Sequence, residues 1–161
     1  MAAPTPTARV APNGTKLKDG YKSVITFARL SNFAIFEKSM TPPGYDGGDP
    51  IEQTTMHNDD VHTKAPQSLI DCTNSTIKCA YDPKCYKDSG GALSLINIED
   101  TITQRFSDGS TLAYYGYLKS WTPDEMSMGE QPEATVEIVV TNFDPVNKVE
   151  ALPVLTEVTG T

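Results

Sequence analysis

The chain has 161 residues, 38% of them hydrophobic and 21% charged, with a mean hydropathy of −0.36. That suits one domain with a sizeable core and excludes disorder throughout. Twenty-one acids against 13 bases give a net charge of −8, the wrong sign for gripping nucleic-acid phosphates, and the longest apolar runs, such as Ile138-Val139-Val140, fall far short of the roughly 18 residues that a membrane-spanning helix needs. The charge is also unevenly placed. Residues 1–40 hold six Lys/Arg and two acids, and residues 41–161 hold seven and nineteen. Such a split suits copies joined head to tail, or serves simply as a solubilising surface.

Residues 1–15 read as an extended N-terminal arm, rich in Ala, Pro and Thr up to Asn13. Strands are expected at 23–28 and 34–40, where β-branched and aromatic residues gather. A long loop then covers residues 41–66, with Pro42-Pro43-Gly44, Gly47-Gly48, Asp49-Pro50 and Ala65-Pro66. Loops beyond about 15 residues are uncommon in compact domains unless they bind something or are disordered, so this one is the first functional candidate. Its first part, 41–63, contains five acids and no Lys or Arg.

Residues 75–81 alternate as a half-buried strand, with Ile77, Cys79 and Tyr81 on one face and Lys78 on the other. Asp82-Pro83 then supplies an N-cap and a proline at the first helical position, which predicts a helix from 83 toward 96 that Gly90-Gly91 weakens. A hairpin is expected around Ser107-Asp108-Gly109-Ser110, between strands 101–106 and 111–121. Alternation places Tyr115, Tyr117 and Trp121 on one face of its second strand and Tyr114 and Leu118 on the other. After a loop at 122–133, residues 134–142 form a strand whose core face holds Val136, Ile138 and Val140. Residues 146–161 read as an extended C-terminal arm. The fold class that follows is mainly β (α+β): two packed antiparallel sheets in a sandwich or half-barrel over residues 16–145, with one short flanking helix.

Little chemistry is visible. His57 and His62 with Asp59 and Asp60 form the one cluster suited to metal or acid–base work, but no third ligand is placed by the spacing. No nucleophile elbow, phosphate-cradling loop or dinucleotide fingerprint occurs, so neither an enzyme nor a cofactor is expected. Cys72, Cys79 and Cys85 cannot all pair and match no usual zinc spacing, which makes them free thiols. With no apolar secretory stretch at the N-terminus, a reducing cytoplasm is expected, and Asn13-Gly14-Thr15 and Asn74-Ser75-Thr76 are chance glycosylation matches. Tyr114, Tyr115, Tyr117 and Trp121 suit either core packing or a stacking platform. Only Lys119 is nearby, and residues 120–147 hold six acids and no base, which argues against nucleic-acid bases as the stacked group.

Several short pieces taken in order carry a family likeness. They are Thr41-Pro42-Pro43-Gly44, Asp46-Gly47-Gly48-Asp49-Pro50-Ile51, Thr54-Thr55-Met56-His57-Asn58 and Thr63-Lys64-Ala65-Pro66, then Ala80-Tyr81-Asp82-Pro83, Phe106-Ser107-Asp108-Gly109-Ser110, Gly116-Tyr117-Leu118-Lys119-Ser120-Trp121 and Gly129-Glu130-Gln131-Pro132. Together, over residues 20–145, they resemble the tail tube (major tail) proteins of tailed bacteriophages, most nearly those of long non-contractile tails. The chain departs from that pattern at Gly90-Gly91 and in its cysteines.

The resemblance implies a two-sheet β-fold that forms homohexameric rings, which stack into a hollow tube in the virion tail after assembly in the bacterial cytoplasm. Its partners would be further copies, tape-measure, tail-terminator and baseplate or tail-tip proteins, with no membrane. DNA would pass along an acidic lumen without specific binding. By the same analogy the long loop would meet a neighbouring subunit or ring through Asp46, Asp49, Met56 and His57, and Glu99, Asp100, Glu133 and Glu137 are the channel-lining candidates. Two other readings stay open: a tail terminator or secretion-system tube ring protein, and a carbohydrate-binding β-sandwich that would need Tyr114, Tyr115 or Trp121 exposed.

Overall fold

The computed structural model describes residues 22–157 apart from 31, 32 and 34; the expected N-terminal arm, the first residue of the expected strand 34–40 and the last four residues lie outside these. Strand β1 (Val24–Phe27) buries Ile25 and Phe27 and exposes the residues between. The same two-residue period runs through β7 (Ser75–Ala80), β8 (Asp100–Arg105) and β10 (Glu133–Val140). With β2 (Glu37–Thr41) and β9 (Thr111–Pro123), these strands form one antiparallel sheet in the order β1-β8-β9-β10-β7-β2, and β13 (Val154–Thr156) adds alongside β9. Of the segment expected as a C-terminal arm, Val149–Glu150 folds back to pair with Phe143–Asp144, and Val154–Thr156 joins the sheet.

Strands β1, β7, β8, β9 and β10 turn one face to a common core. Ile77, Ile102, Val136 and Ile138 have no exposed surface, a burial worth about 1.5–3 kcal/mol per side chain. One sheet can bury one face only by curling over it, and the ends of this one approach each other: the Ile25 amide of β1 donates to Glu37 Oε1 of β2 at 2.8 Å. The architecture is the expected mainly-β half-barrel, its two walls being halves of one curled sheet. Three two-stranded ribbons supplement it: β3 (Tyr45–Asp46) with β6 (Asp71–Cys72), β4 (Ile51–Glu52) with β5 (Lys64–Ala65), and β11 (Phe143–Asp144) with β12 (Val149–Glu150).

Two expectations need correcting. The helix over 83–96 is instead two 3₁₀ turns, Pro83–Tyr86 and Ala92–Ser94. The Asp82 cap does form, accepting from the Lys84 amide at 3.0 Å. What stops the helix is the glycine pair: Gly90 has φ +80°, and a Cβ on Gly91 would lie 2.3 Å from the Lys87 carbonyl oxygen, so the chain folds back on itself where a helix would run on. The second correction concerns Trp121. Leu118 pairs with Ile138 and Ser120 with Glu137, leaving Lys119 as an extra residue in β9. This bulge reverses the alternation. Trp121 therefore pairs with inward-facing Val136 and joins the face of Tyr114 and Leu118, not that of Tyr115 and Tyr117.

Candidate assembly interface

The long loop expected at 41–66 is a two-stranded arm. Where β2 and β7 part company with the barrel, at Thr41 and Thr76, pairing continues outward through Thr73 N–H to the Gly44 carbonyl at 3.0 Å, the β3–β6 and β4–β5 pairs, and Gln53 N–H to the Thr63 carbonyl at 2.8 Å. Gly48, at φ +74°, marks a break between the inner and outer pairs; there Asp46 accepts the Gly48 amide at 2.9 Å and the Gln67 side chain donates to the Asp49 carbonyl at 2.9 Å.

The tip, residues 53–63, is ordered by its own side chains. Asn58 accepts the Thr55 amide at 2.9 Å and donates to the Val61 carbonyl at 3.0 Å. Thr54 Oγ1 meets Glu52, His62 Nδ1 and the Thr63 amide. The hydrogen bond from the Thr54 hydroxyl, above the other influences, holds the Glu52 carboxyl below its ordinary range. Asp46, Asp49, Met56 and His57 all lie exposed on this arm. Met56 is 100% exposed, Leu69 81% and Val61 71%, so the arm's apolar side chains stand in the open beside its acids.

A buried polar chain fixes the arm's base. Ser75 Oγ donates to the Thr41 carbonyl at 2.8 Å, and Gln104 Nε2 donates to Ser75 Oγ at 2.8 Å and to the Tyr114 hydroxyl at 2.9 Å. Ser75, Gln104 and Tyr114 are buried, and burial pushes the Tyr114 phenol up to about 12. Four strands, β2, β7, β8 and β9, are tied together at the point where the arm leaves. Sequence reasoning missed Gln104 and Ser75, because a polar residue in an inward register position carries no apolar signal.

The four channel candidates do not come together. Glu133 pairs with Lys38, and Glu137 with Lys119 at 2.9 Å. With Lys78 and Asp124, 3.7 Å apart, they make a lattice of alternating charge on the outer face of β2, β7, β10 and β9. Asp100 stands at the start of β8, accepting the Arg29 amide at 2.8 Å and the Thr101 amide at 2.8 Å, and Glu99 is exposed beside it. The aromatic group offers no open platform of the kind expected for a glycan: Tyr114 is buried, the Tyr115 hydroxyl donates to Asp144 at 3.1 Å, and Tyr81 stacks on Trp121 with centroids 6.0 Å apart. Tyr86 closes on the same indole edge-on at 4.9 Å.

No family model matches the chain, and no curated protein matches it in sequence. Among solved structures it is similar to a chain of the cryo-EM structure of the anti-feeding prophage baseplate, 6-fold symmetrised, with a TM-score of 0.53 and 8% identity over 74% of this chain and 87% of that one. What the two share is the fold.

Proposed function

We propose that this protein is a non-enzymatic structural subunit of a phage-type tail, which self-assembles into hexameric rings stacked as a tube. The observation that carries the reading is the curled sheet, a fold shared with a chain of a six-fold baseplate; the arm that stands clear of it adds a surface for contact. Closed rings need two unlike surfaces that meet head to tail, and stacking needs a contact that propagates. The arm and the seam between β1 and β2, spanned by the bond from the Ile25 amide to Glu37, are unlike surfaces of this kind. On this reading its partners are further copies and other tail proteins such as tape-measure, terminator and baseplate components. Its place is the virion tail, after assembly in the host cytoplasm.

The −8 charge of each copy repels phosphates and lets DNA slide through the lumen without specific contacts. Because Glu133 and Glu137 face lysines, the excess negative charge comes from other carboxylates, Glu99 among them. The baseplate origin of the structural neighbour favours a second reading, a ring confined to the base of the tail. Negative-stain electron microscopy at low and high concentration tests both. Tubes or stacked rings are expected; isolated rings at every concentration would favour the second reading, and monomers at every concentration would overturn both.

A further inference from the structure

The arm's chemistry selects the kind of surface it can meet. From 41 to 63 it carries five acids and no Lys or Arg, with Met56 and Val61 exposed at its tip. A complementary surface needs exposed apolar side chains beside cations that are not already engaged. Lys38, Lys78 and Lys119 are spent in the lattice on the outer sheet face. Lys84 and Lys87 make no ion pair with a described residue. Both line a cleft of about 370 Å³ beside the first 3₁₀ turn, together with Phe33 and Phe36. Phe36 is 64% exposed and Tyr86, on the same turn, 61%.

The carboxylate that lines this cleft, Asp82, is turned into the cap of the 3₁₀ turn by its bond from the Lys84 amide; Asp88 is exposed nearby but does not line it. Two of the other grooves suit the arm less well. The one between Leu69, Phe143 and Leu152 is apolar but has Glu150 in its wall, and the one at Arg29 contains Glu99 and Asp100.

We infer that the arm tip of one copy docks in the Phe36–Lys84–Lys87 cleft of a second copy, with Met56 and Val61 against Phe36, and Asp59 and Asp60 against the two lysines. This rests on the self-assembly reading above and adds to it the surface that receives the arm. The two halves are different patches of one chain, so the contact is heterologous and each copy can give an arm and receive one.

The test uses two full-length copies distinguishable by size, one carrying Met56→Cys and the other Ser89→Cys, mixed under mild oxidation while assembly is followed by electron microscopy. Cys72 and Cys79 are buried and stay as they are, and Cys85, which lines the same cleft as Ser89, is replaced in both copies (Cys85→Ser). A disulfide-linked heterodimer is the expected product. Reversing the cleft with Lys84→Glu and Lys87→Glu raises the concentration needed for assembly by about tenfold or more, and combining it with Asp59→Lys and Asp60→Lys on the arm restores assembly. Rings or tubes that form without the cross-link, or a double reversal that fails to restore them, would overturn the docking and leave the tube reading standing. A cross-link without rings or tubes upholds the docking and removes the tube reading. Neither cross-link nor assembly sinks both.

Discussion

In the barrel, Ile77, Ile102, Val136 and Ile138 have no exposed surface; on the arm, Met56, Val61 and Leu69 have almost no cover. Both regions are antiparallel β-structure, and they differ in what their backbone pairing is for. Barrel strands lie in a sheet wide enough to curl over one face, so hydrogen bonding and apolar burial cooperate. The arm has only two strands, a width too small to enclose anything, so its pairing fixes a shape without hiding its side chains. Stability therefore resides in the first region, and the second is free to present surface.

The sharpest way to break that contrast is a matched pair of truncations. Ile138→Ala empties a fully enclosed site and is expected to cost about 2–5 kcal/mol of unfolding free energy, whereas Met56→Ser changes it by no more than about 0.5 kcal/mol and acts on assembly instead. Chemical denaturation of the monomer and light scattering of the assembling protein separate the two. An arm substitution that destabilised the monomer as strongly as the core one would abolish the distinction.

A second substitution probes the junction. Ser75→Ala removes the hydroxyl that joins Gln104 to the Thr41 carbonyl, at an expected cost of about 1–3 kcal/mol for the buried groups left without a partner. Hydrogen exchange is expected to quicken at the arm's base while the far side of the barrel, around β1, keeps its protection. Uniform loss of protection would mean that arm and barrel open as one unit.

The smallest effect lies at Asp144, in the β11–β12 ribbon. Burial by itself would raise its carboxyl, but the amides of Val146 and Asn147, the Asn147 side chain and the Tyr115 hydroxyl outweigh it and hold the pKa below the ordinary value. A carboxyl depressed in the folded state stabilises fully above its unfolded pKa, near 4 for Asp, and the contribution disappears as pH falls from there through the folded pKa. Thermal melts of the native protein and of Asp144→Asn should differ at neutral pH and converge in acid. Curves that ran parallel down to pH 2 would show that these hydrogen bonds carry no net stability.

The barrel was legible where one face of a strand is buried, because burial writes a period of two: β7, β8 and β10 follow their sequence patterns closely. The arm's composition stood out, and Asp46, Asp49, Met56 and His57 do share it. Its pairing did not, since a ribbon exposed on both faces imposes no apolar alternation. Lys119 illustrates another limit. A single bulged residue moved Trp121 to the opposite face, and nothing in β9 alone distinguishes that residue from its neighbours; the register against β10 decides it. The glycine pair at 90 and 91 correctly weakened the expected helix, but replacing it with two 3₁₀ turns depended on how closely Gly91 approaches the Lys87 carbonyl. Nothing in the sequence marks Glu133 and Glu137 as paired, and only cross-strand geometry reveals their lysines.

The bond between the Ile25 amide and Glu37 bears on the edge of the sheet. With this side-chain oxygen standing where a neighbouring strand's carbonyl would otherwise be, the open edge of β1 is stoppered by the molecule itself. A strand approaching this edge would find one of its amides already bonded within the molecule, so the end of the sheet presents less free backbone than the position of β1 alone would suggest.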